Sequence, residues 1–380
     1  KAKALFERIG VEVPIDAECN SLTIAQQQIV EIAKTLAQDA RIIVMDEPSA
    51  ALSPRETKGL FEAIDELKKQ GIGIIYISHR LDEVFEIADR VTILRDGEHI
   101  DTRPIGNLTR EQMIELMVGR SLEKEFPNRS TAPGEVRMGV ADLNQGNSVR
   151  NVSFEIKASE VLGLTGLVGA GRTETARLLF GADHPDSGIV LLDGKPLSTK
   201  SPKDAIRQGI CLLTEDRKAE GLVLGQTVRE NFGLPNLPQF SYRGFIRKLQ
   251  ESEAFGSYVK QIQIKITGTE QIAGTLSGGN QQKVVLAKWL QRDAKVIIFD
   301  EPTRGIDVGA KYEIYQLINQ LAEQGKAILM ISSELPEILG MSDRVLVMNE
   351  GRITGEITDV TNATQEAIMK LATKREPEAA

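Results

Sequence analysis

The sequence repeats one pattern twice, and this internal repeat limits the possible folds more than any other feature. Residues 22–36 and 276–290 are identical at seven of fifteen aligned positions, and position 276 lies 254 residues after position 22. The same spacing relates Asp46-Glu47-Pro48 to Asp300-Glu301-Pro302 and continues without a gap to Gly97. A register kept over this distance predicts a chain that contains two copies of one domain.

The two copies are not equally complete. The second begins near Glu135, so that about 120 residues precede its position 255, the partner of Lys1. The first copy has no counterpart of those residues, and we expect it to be the back half of a domain in a chain that is a fragment. The polar stretch from Arg120 to Pro133 contains two prolines and reads as a linker. We therefore predict half of a first domain at 1–119, a linker at 120–135, a complete second domain at 136–374 and a tail at 375–380.

Apolar runs alternate with helical patterns in both copies. Runs that are apolar throughout are typical of strands buried on both faces, so the pattern predicts an α/β fold with a mainly parallel sheet between helices. The predicted strands of the two copies correspond in sequence order. They are Arg41–Met45, Gly73–Ile77 and Arg90–Leu94 in the first copy, and Lys295–Phe299, Ala327–Ile331 and Arg344–Met348 in the second. The second copy adds predicted strands at Val149–Ile156, Val161–Leu164, Ile189–Leu192 and Ile210–Leu213.

Composition excludes several classes of protein. A net charge of −8 argues against a nucleic-acid surface, although a local basic patch could lie within it. Cys19 and Cys211 lie far apart in sequence, which indicates two unpaired thiols rather than a disulfide framework. No apolar run approaches the roughly 18 residues that a membrane span needs, and no secretory signal pattern opens the chain.

A glycine-rich octet follows the predicted strand Val161–Leu164 and opens a helical pattern. Its glycines allow a tight turn that directs several backbone N–H groups into one concavity, where a helix N-terminus adds its positive dipole end. The spacing fits the phosphate-binding G-x-x-x-x-G-K-[ST] loop, with arginine in the place of lysine. An ordinary glycine-rich turn is the alternative interpretation. The octet, called the phosphate loop below, consists of Gly166, Leu167, Val168, Gly169, Ala170, Gly171, Arg172 and Thr173.

Each copy also has an apolar strand that ends in two carboxylates. The first of them, Asp46 or Asp300, is suited to hold Mg²⁺ directly or through water, and the second, Glu47 or Glu301, to orient or deprotonate an attacking water. A single Asp-Glu pair is often only an acidic turn. Its recurrence in the same context favours the functional interpretation.

A serine and two glycines open a predicted helix of the second copy. Ser277 is expected to cap this helix, and Gly278 and Gly279 leave backbone N–H groups open to an anion. We call Ser277–Asn280 the signature segment; a simple helix cap is the alternative. The first copy has Thr23–Gln26 there, without glycine.

A histidine follows the predicted strand Gly73–Ile77. His79 is placed to reach a γ-phosphate near Glu47, although a lone histidine is more often structural. The second copy has Ser333 at the matching position, which supplies neither a cation nor comparable reach.

In order and spacing these motifs resemble those of an ABC transporter ATPase, and more narrowly the tandem ATPase subunits of bacterial monosaccharide importers. The resemblance extends to about Thr373 and implies two P-loop NTPase domains of the ABC type, the first incomplete. In such subunits the two domains meet head to tail, and each ATP lies between one domain's phosphate loop and the other domain's signature.

The resemblance assigns a role to each motif residue of this chain. It implies catalytic roles for Glu47, His79 and Glu301, and Mg²⁺ binding by Asp46, Thr173 and Asp300. It implies nucleotide binding by the phosphate loop, by Glu215, which replaces a glutamine that senses Mg²⁺ and the membrane partner, and by Ser277, Gly278 and Gly279. The second site, with Arg172, Ser333 and a facing signature that lacks glycine, looks degenerate. Ser159 stands where the family usually has glycine.

The resemblance also implies the cofactors and partners. They are ATP and Mg²⁺, integral-membrane permease subunits at the cytoplasmic face of the inner membrane and, indirectly, a periplasmic sugar-binding protein, with no nucleic acid. Two alternatives stay open. A soluble tandem ABC ATPase outside transport would be expected to carry a long charged insert and two intact sites. A non-catalytic nucleotide-binding regulatory module is plausible for the second copy alone, because of Arg172 and Ser333.

Overall fold

The computed structural model divides the chain into two compact units, Lys1–Leu122 and Glu123–Ala380, and each is described by itself. The residues that the structure describes are 6, 13–36, 40–49, 52, 54–78, 80–95, 97–118, 126–306 and 308–374. Within these ranges, no helix combines the length and the apolar character needed to cross a bilayer. Cys19 is exposed and Cys211 buried, and both thiols are free, as predicted.

The second unit contains a six-stranded sheet of the predicted kind. Its strand order is β10-β13-β14-β7-β15-β16, with all pairs parallel except β15–β16. The strands are β7 (Val161–Gly166), β10 (Ile210–Leu213), β13 (Val296–Asp300), β14 (Ala327–Ile331), β15 (Arg344–Asn349) and β16 (Arg352–Ile357). Every residue of β10, β13 and β14 is buried, which explains why these strands are apolar throughout.

A smaller antiparallel sheet and a helical region complete this unit. The sheet has the order β6-β5-β8-β9, formed by β5 (Val136–Gln145), β6 (Val149–Lys157), β8 (Ser187–Leu192) and β9 (Lys195–Pro196). A hairpin consists of β11 (Ser241–Tyr242) and β12 (Phe245–Ile246). The helices are α5 (Arg172–Phe180), α6 (Pro202–Gln208), α7 (Val228–Gly233), α8 (Leu237–Phe240), α9 (Lys248–Gln261), α10 (Gly278–Leu290), α11 (Val308–Glu323), α12 (Leu335–Met341) and α13 (Gln365–Ala372).

The first unit contains two separate pairs of strands and four helices in its described part. The parallel pair is β1 (Ile42–Asp46) with β2 (Gly73–Ile77), and the antiparallel pair is β3 (Arg90–Arg95) with β4 (Glu98–Pro104). The helices are α1 (Ile24–Leu36), α2 (Pro54–Lys69), α3 (Leu81–Ile87) and α4 (Arg110–Val118). A small core that includes Ile29, Leu60 and Ile64 holds this unit together.

The elements of the first unit have counterparts 254 residues later in the second. Helix α1 corresponds to α10, and the pairing of β1 with β2 has the same register as that of β13 with β14. The surroundings differ, because β14 also pairs with β7, whereas β2 pairs only with β1 among the described residues. Apolar side chains of these two strands are therefore exposed, with Ile42 65%, Val44 60% and Ile75 53% exposed.

Part of the predicted linker lies outside the described residues. From residue 126 onward the stretch packs on the second unit. The ring of Phe126 lies 5.3 Å from that of Tyr315, and a Cβ on Gly340 would lie 2.3 Å from the Phe126 ring. This part is therefore anchored by an aromatic contact that its polar composition did not predict.

Candidate nucleotide-binding site

The candidate residues of the second unit meet at one edge of the six-stranded sheet. The phosphate loop follows β7, Asp300 ends β13, and Ser333 follows β14. Because parallel strands end at the same edge, their carboxyl ends form a crevice of the kind in which α/β proteins bind ligands. The structure thus brings together those residues of the predicted second site that belong to the second unit.

Two glycines of the phosphate loop stand where a side chain has no room. Gly166 has φ 155° and Gly171 has φ 98°, both backbone conformations that favour glycine. A Cβ on Gly166 would lie 2.2 Å from the carbonyl oxygen of Met348, and one on Gly171 the same distance from that of Ser148. Helix α5 begins at Arg172, so the free N–H groups of its first turn face the loop.

The arginine of the phosphate loop pairs with the glutamate that follows β13. Nη1 of Arg172 donates to Oε1 of Glu301 at 3.3 Å, and the two side chains are only 10% and 9% exposed. The hydroxyl of Ser333 donates to Oε2 of the same carboxylate at 3.1 Å. Glu301 itself has φ 48°, a strained conformation for a residue with a side chain. In this arrangement both carboxylate oxygens of Glu301 are engaged, so the carboxylate is a counter-ion rather than a free base.

The buried carboxyl of Asp300 has unused capacity for a ligand. Asp300 is 2% exposed, and its Oδ1 has no hydrogen-bond partner in the part of the chain that the structure describes. Burial is the main cause that raises its pKa to about 6; a hydrogen bond with Thr173 opposes this shift, and the charge of Glu301 contributes to it. No group of three or more acidic, histidine or cysteine side chains among the described residues could hold a metal. A carboxylate with one hydroxyl fits Mg²⁺, which keeps several waters and binds phosphate oxygens.

Helix α10 begins with the signature segment, but one prediction about its start is wrong. Ser277 is the N-cap residue, yet its side chain makes no capping hydrogen bond to the helix. Its hydroxyl instead accepts a hydrogen bond from the side-chain amide of Asn280 at 3.0 Å. The competing amide lies three residues on, close enough to replace the backbone donor. The N–H groups of this helix start are therefore not consumed by a serine cap.

The corresponding helix start in the first unit caps itself. The backbone N–H of Gln26 donates to Oγ1 of Thr23 at 3.3 Å, and the N–H of Thr23 donates to Oε1 of Gln26 at 3.1 Å. This reciprocal pair is a capping box, which satisfies donors that a phosphate would need. At this place the first unit has no glycine, and its capping box occupies N–H groups that a phosphate would otherwise bind.

The candidate catalytic residues of the first unit are described only in part. Asp46 ends β1 and is exposed, and the N–H of Glu47 donates to the carbonyl of Ile77 at 2.9 Å, as that of Glu301 does to Ile331. His79 lies outside the described residues.

A segment after β10 holds Glu215, which the sequence analysis assigned to nucleotide binding, and it also contacts Lys288, which the sequence analysis missed. Glu215 forms an ion pair with Arg304, in the turn after β13. The carbonyl of Gly221 accepts a hydrogen bond from the buried amine of Lys288, whose pKa burial lowers to about 8. Lys288 was visible in the repeat only as an identity with Lys34, which gave no sign of its burial.

Comparisons with known proteins agree with this geometry. The family model described as ABC transporter matches residues 149–304. The chain is similar to the ribose import ATP-binding protein RbsA of Bacillus licheniformis, with 50% identity over 98% of this chain and 75% of that protein. It has the same identity to a putative ribose/galactose/methyl galactoside import ATP-binding protein of Rhizobium etli, over 98% of this chain and 71% of that one.

The fold of the second unit also has a solved counterpart. MJ1267, an ATP-binding cassette of an ABC transporter, matches with a TM-score of 0.55 and 20% identity, over 63% of this chain and 100% of that one. This likeness shows the fold, which is the α/β fold of ABC ATPases. Because half of the aligned residues are identical to those relatives over nearly the whole chain, the chain belongs to the family of import ATP-binding proteins of ABC transporters.

Proposed function

We propose that the chain is the ATP-binding, ATP-hydrolysing subunit that supplies energy to a bacterial ABC importer for a monosaccharide, most specifically ribose. The observation that carries this proposal is the meeting of three features at one sheet edge: the phosphate loop, Glu301, and Asp300, whose Oδ1 has no partner among the described residues. The sugar is inferred from the names of relatives at 50% identity.

The chain carries two ATPase copies in tandem in this proposal, the first of them incomplete. Residues 1–119 are the second half of one ABC domain, 120–135 a linker, 136–374 a complete domain and 375–380 a tail. The 254-residue correspondence of elements supports this division, as do the exposed strands β1 and β2. The copies pair head to tail, so that each nucleotide lies between one phosphate loop and the opposite signature.

Each residue then has a defined task. The phosphate loop wraps the phosphates with backbone N–H groups, and Thr173 and Asp300 hold Mg²⁺ in the second site, as Asp46 does in the first. When bound, Mg²⁺ neutralises the charge that develops on the phosphates. In the first site Glu47 orients the attacking water and His79 contacts the γ-phosphate, while Ser277, Gly278 and Gly279 supply donors from the other copy. Glu215 responds to the membrane partner.

The second site binds nucleotide but turns it over poorly. Arg172 holds Glu301 in an ion pair, and Ser333 occupies the second carboxylate oxygen. A phosphate that binds Arg172 must displace this carboxylate, so part of the binding free energy goes into breaking the pair. This favours a regulatory role for the second site within the importer. It does not favour the alternative in which the whole protein is a non-catalytic regulatory module.

The direct partners are integral-membrane permease subunits, with a periplasmic sugar-binding protein beyond them. The subunit lies at the cytoplasmic face of the inner membrane. ATP closes the two copies, hydrolysis opens them, and the permease follows this motion.

Mg²⁺-dependent phosphate release tests the assignment of the two sites. In the full-length subunit, Glu47→Gln should abolish most hydrolysis while sparing ATP binding, and Glu301→Gln should cost much less. The present chain should hydrolyse almost none, because positioning by a phosphate loop cannot be replaced by a base alone. Equal losses from both variants, or vigorous turnover by the present chain, would show that the catalytic site has been assigned wrongly.

A further inference from the structure

The guanidinium of Arg217 lies where a side chain of residue 278 would otherwise be. A Cβ on Gly278 would lie 2.5 Å from Nη2 of Arg217 and 3.4 Å from the carbonyl oxygen of Gly305. Nη1 of Arg217 donates to the carbonyl of Arg304 at 2.9 Å. One side chain therefore joins the first residue of α10, within the signature segment, to the turn that follows β13.

The surroundings hold Arg217 in this place. Its Nε is buried and has no hydrogen-bond partner among the described residues, and burial lowers the pKa of the guanidinium. Asp216 fixes the backbone on the other side, because its Oδ1 accepts from the N–H groups of Lys218 and Ala219, both at 3.0 Å. A buried donor without a partner costs about 1–3 kcal/mol, so packing and the bond to residue 304 must offset this cost.

The same segment is attached to α10 at a second point. The carbonyl of Gly221 accepts from Nζ of Lys288 in the last turn of that helix. Glu220 also accepts from Nη1 of Arg177 in α5 at 3.0 Å. Residues 215–221 therefore lie against the first residue of α10, and they hydrogen-bond to the last turn of α10 and to α5, the helix that begins at the phosphate loop.

We propose that Arg217 is a positioning residue for the signature segment. It holds the first turn of α10 so that the N–H groups of Gly278 and Gly279 keep a fixed direction. A larger residue at position 278 would push the guanidinium out of this place. This inference rests on the proposed function, since the group that is positioned serves ATP held by the first copy.

A double-mutant cycle tests the proposal in the full-length subunit assembled with its permease. Arg217→Ala should lower kcat about tenfold with KM for ATP nearly unchanged, because the phosphate loop of the first copy still binds ATP. Arg217→Lys should restore only part of kcat, since an ammonium lacks the planar fork. Gly278→Ala alone should lower kcat about tenfold. Added to Arg217→Ala, it should lower kcat less than about twofold further, because no guanidinium is left to collide with the new side chain.

The control is Arg243→Ala, which removes an exposed arginine whose guanidinium lies 5.3 Å from the Tyr242 ring. It should leave kcat unchanged. Independent, multiplicative effects of the two substitutions, or a normal kcat for Arg217→Ala, would overturn the inference. A fall in kcat that merely follows a lower unfolding temperature would overturn it as well. An unmodified subunit that hydrolyses no ATP would instead overturn the proposed function, which separates the two failures.

Discussion

At the scale of single residues, the carboxyl of Asp300 controls how the candidate site responds to pH. Burial raises its pKa to about 6, so the group is protonated below that pH and cannot bind Mg²⁺. We expect the Mg²⁺-dependent part of ATP binding to weaken about tenfold per pH unit below pH 6, as one proton competes with the metal. Titrations with and without Mg²⁺ between pH 5 and pH 8 measure this dependence.

Two variants make that measurement specific. Asp300→Asn should remove the effect of Mg²⁺ at every pH, whereas Asp359→Asn, at an exposed turn where the carboxylate accepts from Asn362, should retain the normal profile. An Mg²⁺ effect that persists in Asp300→Asn would assign the metal to other ligands.

Gly171 shows why a glycine is required in the phosphate loop. Valine there would combine a strained φ of 98° with a contact of 2.2 Å to the carbonyl oxygen of Ser148. We expect Gly171→Val to weaken ATP binding to this copy at least tenfold, or about 1.4 kcal/mol. Gly194→Val is the matched control, because Gly194 also has a positive φ, of 73°, but open space around it. Equal affinities for all three proteins would remove this loop from the binding site.

At the scale of elements, a buried glutamate links the segments after β13 and β14 to α12. Oε1 of Glu337 accepts from Thr303 at 2.9 Å, and Oε2 accepts from Ser332. Burial, helped by the charge of Glu334, raises the pKa of Glu337 to about 7.

In the first unit, Glu83 occupies the matching place. Although burial opposes it, hydrogen bonds from Ser49, Tyr76 and Arg80 lower the pKa of Glu83. The residue 254 positions after Arg80 is Glu334, so a positive charge in the first unit corresponds to a negative charge in the second. This difference contributes to the opposite pKa shifts of Glu83 and Glu337.

The raised pKa of Glu337 predicts a pH dependence of stability. Since the folded state resists ionisation, the free energy of unfolding should fall as pH rises from about 4.5 to about 7, by roughly 2–3 kcal/mol. Glu337→Gln cannot ionise, so its stability relative to the unmodified chain should rise over this window. Chemical unfolding at pH 5 and pH 8 measures the difference. The control is Glu366→Gln, at the exposed start of α13, whose unfolding free energy should differ from that of the unmodified chain by the same amount at pH 5 and pH 8. An equal difference at the two pH values for Glu337→Gln would show that the inferred pKa is wrong.

The sequence predicted elements better than it predicted contacts. Apolar runs gave the strands of the sheet to within a few residues, because a strand buried on both faces leaves a signal in consecutive side chains. The cap at Ser277 failed because Asn280 competes for the hydroxyl, and the Arg172–Glu301 pair depends on rotamers that no spacing records. Ser159 has a φ of 62°, a left-handed conformation that glycine adopts without strain, and this backbone angle cannot be read from the sequence.

At the scale of the whole molecule, the two units offer the same strands in different surroundings. Val44 and Ile298 occupy matching positions in β1 and β13, yet Val44 is 60% exposed and Ile298 is fully buried. The sequence shows the apolar character of both. The difference comes from β10, which pairs with β13, and from α5, which contacts β13; the described part of the first unit has no equivalent of either.

This contrast predicts unequal effects for threonine introduced at these two matching positions. Val44→Thr in the present chain should change stability by less than about 0.5 kcal/mol, because the side chain already contacts water. Ile298→Thr should destabilise the second unit by about 2 kcal/mol or more, since it buries a hydroxyl and leaves a cavity. Hydrogen exchange resolved for each unit measures both. The exposed face should also bind a hydrophobic dye, and Val44→Thr should reduce that signal while Ile298→Thr does not. A large destabilisation by Val44→Thr would mean that some part of the chain covers this face, and the first unit would then be a self-sufficient fold rather than part of a larger domain.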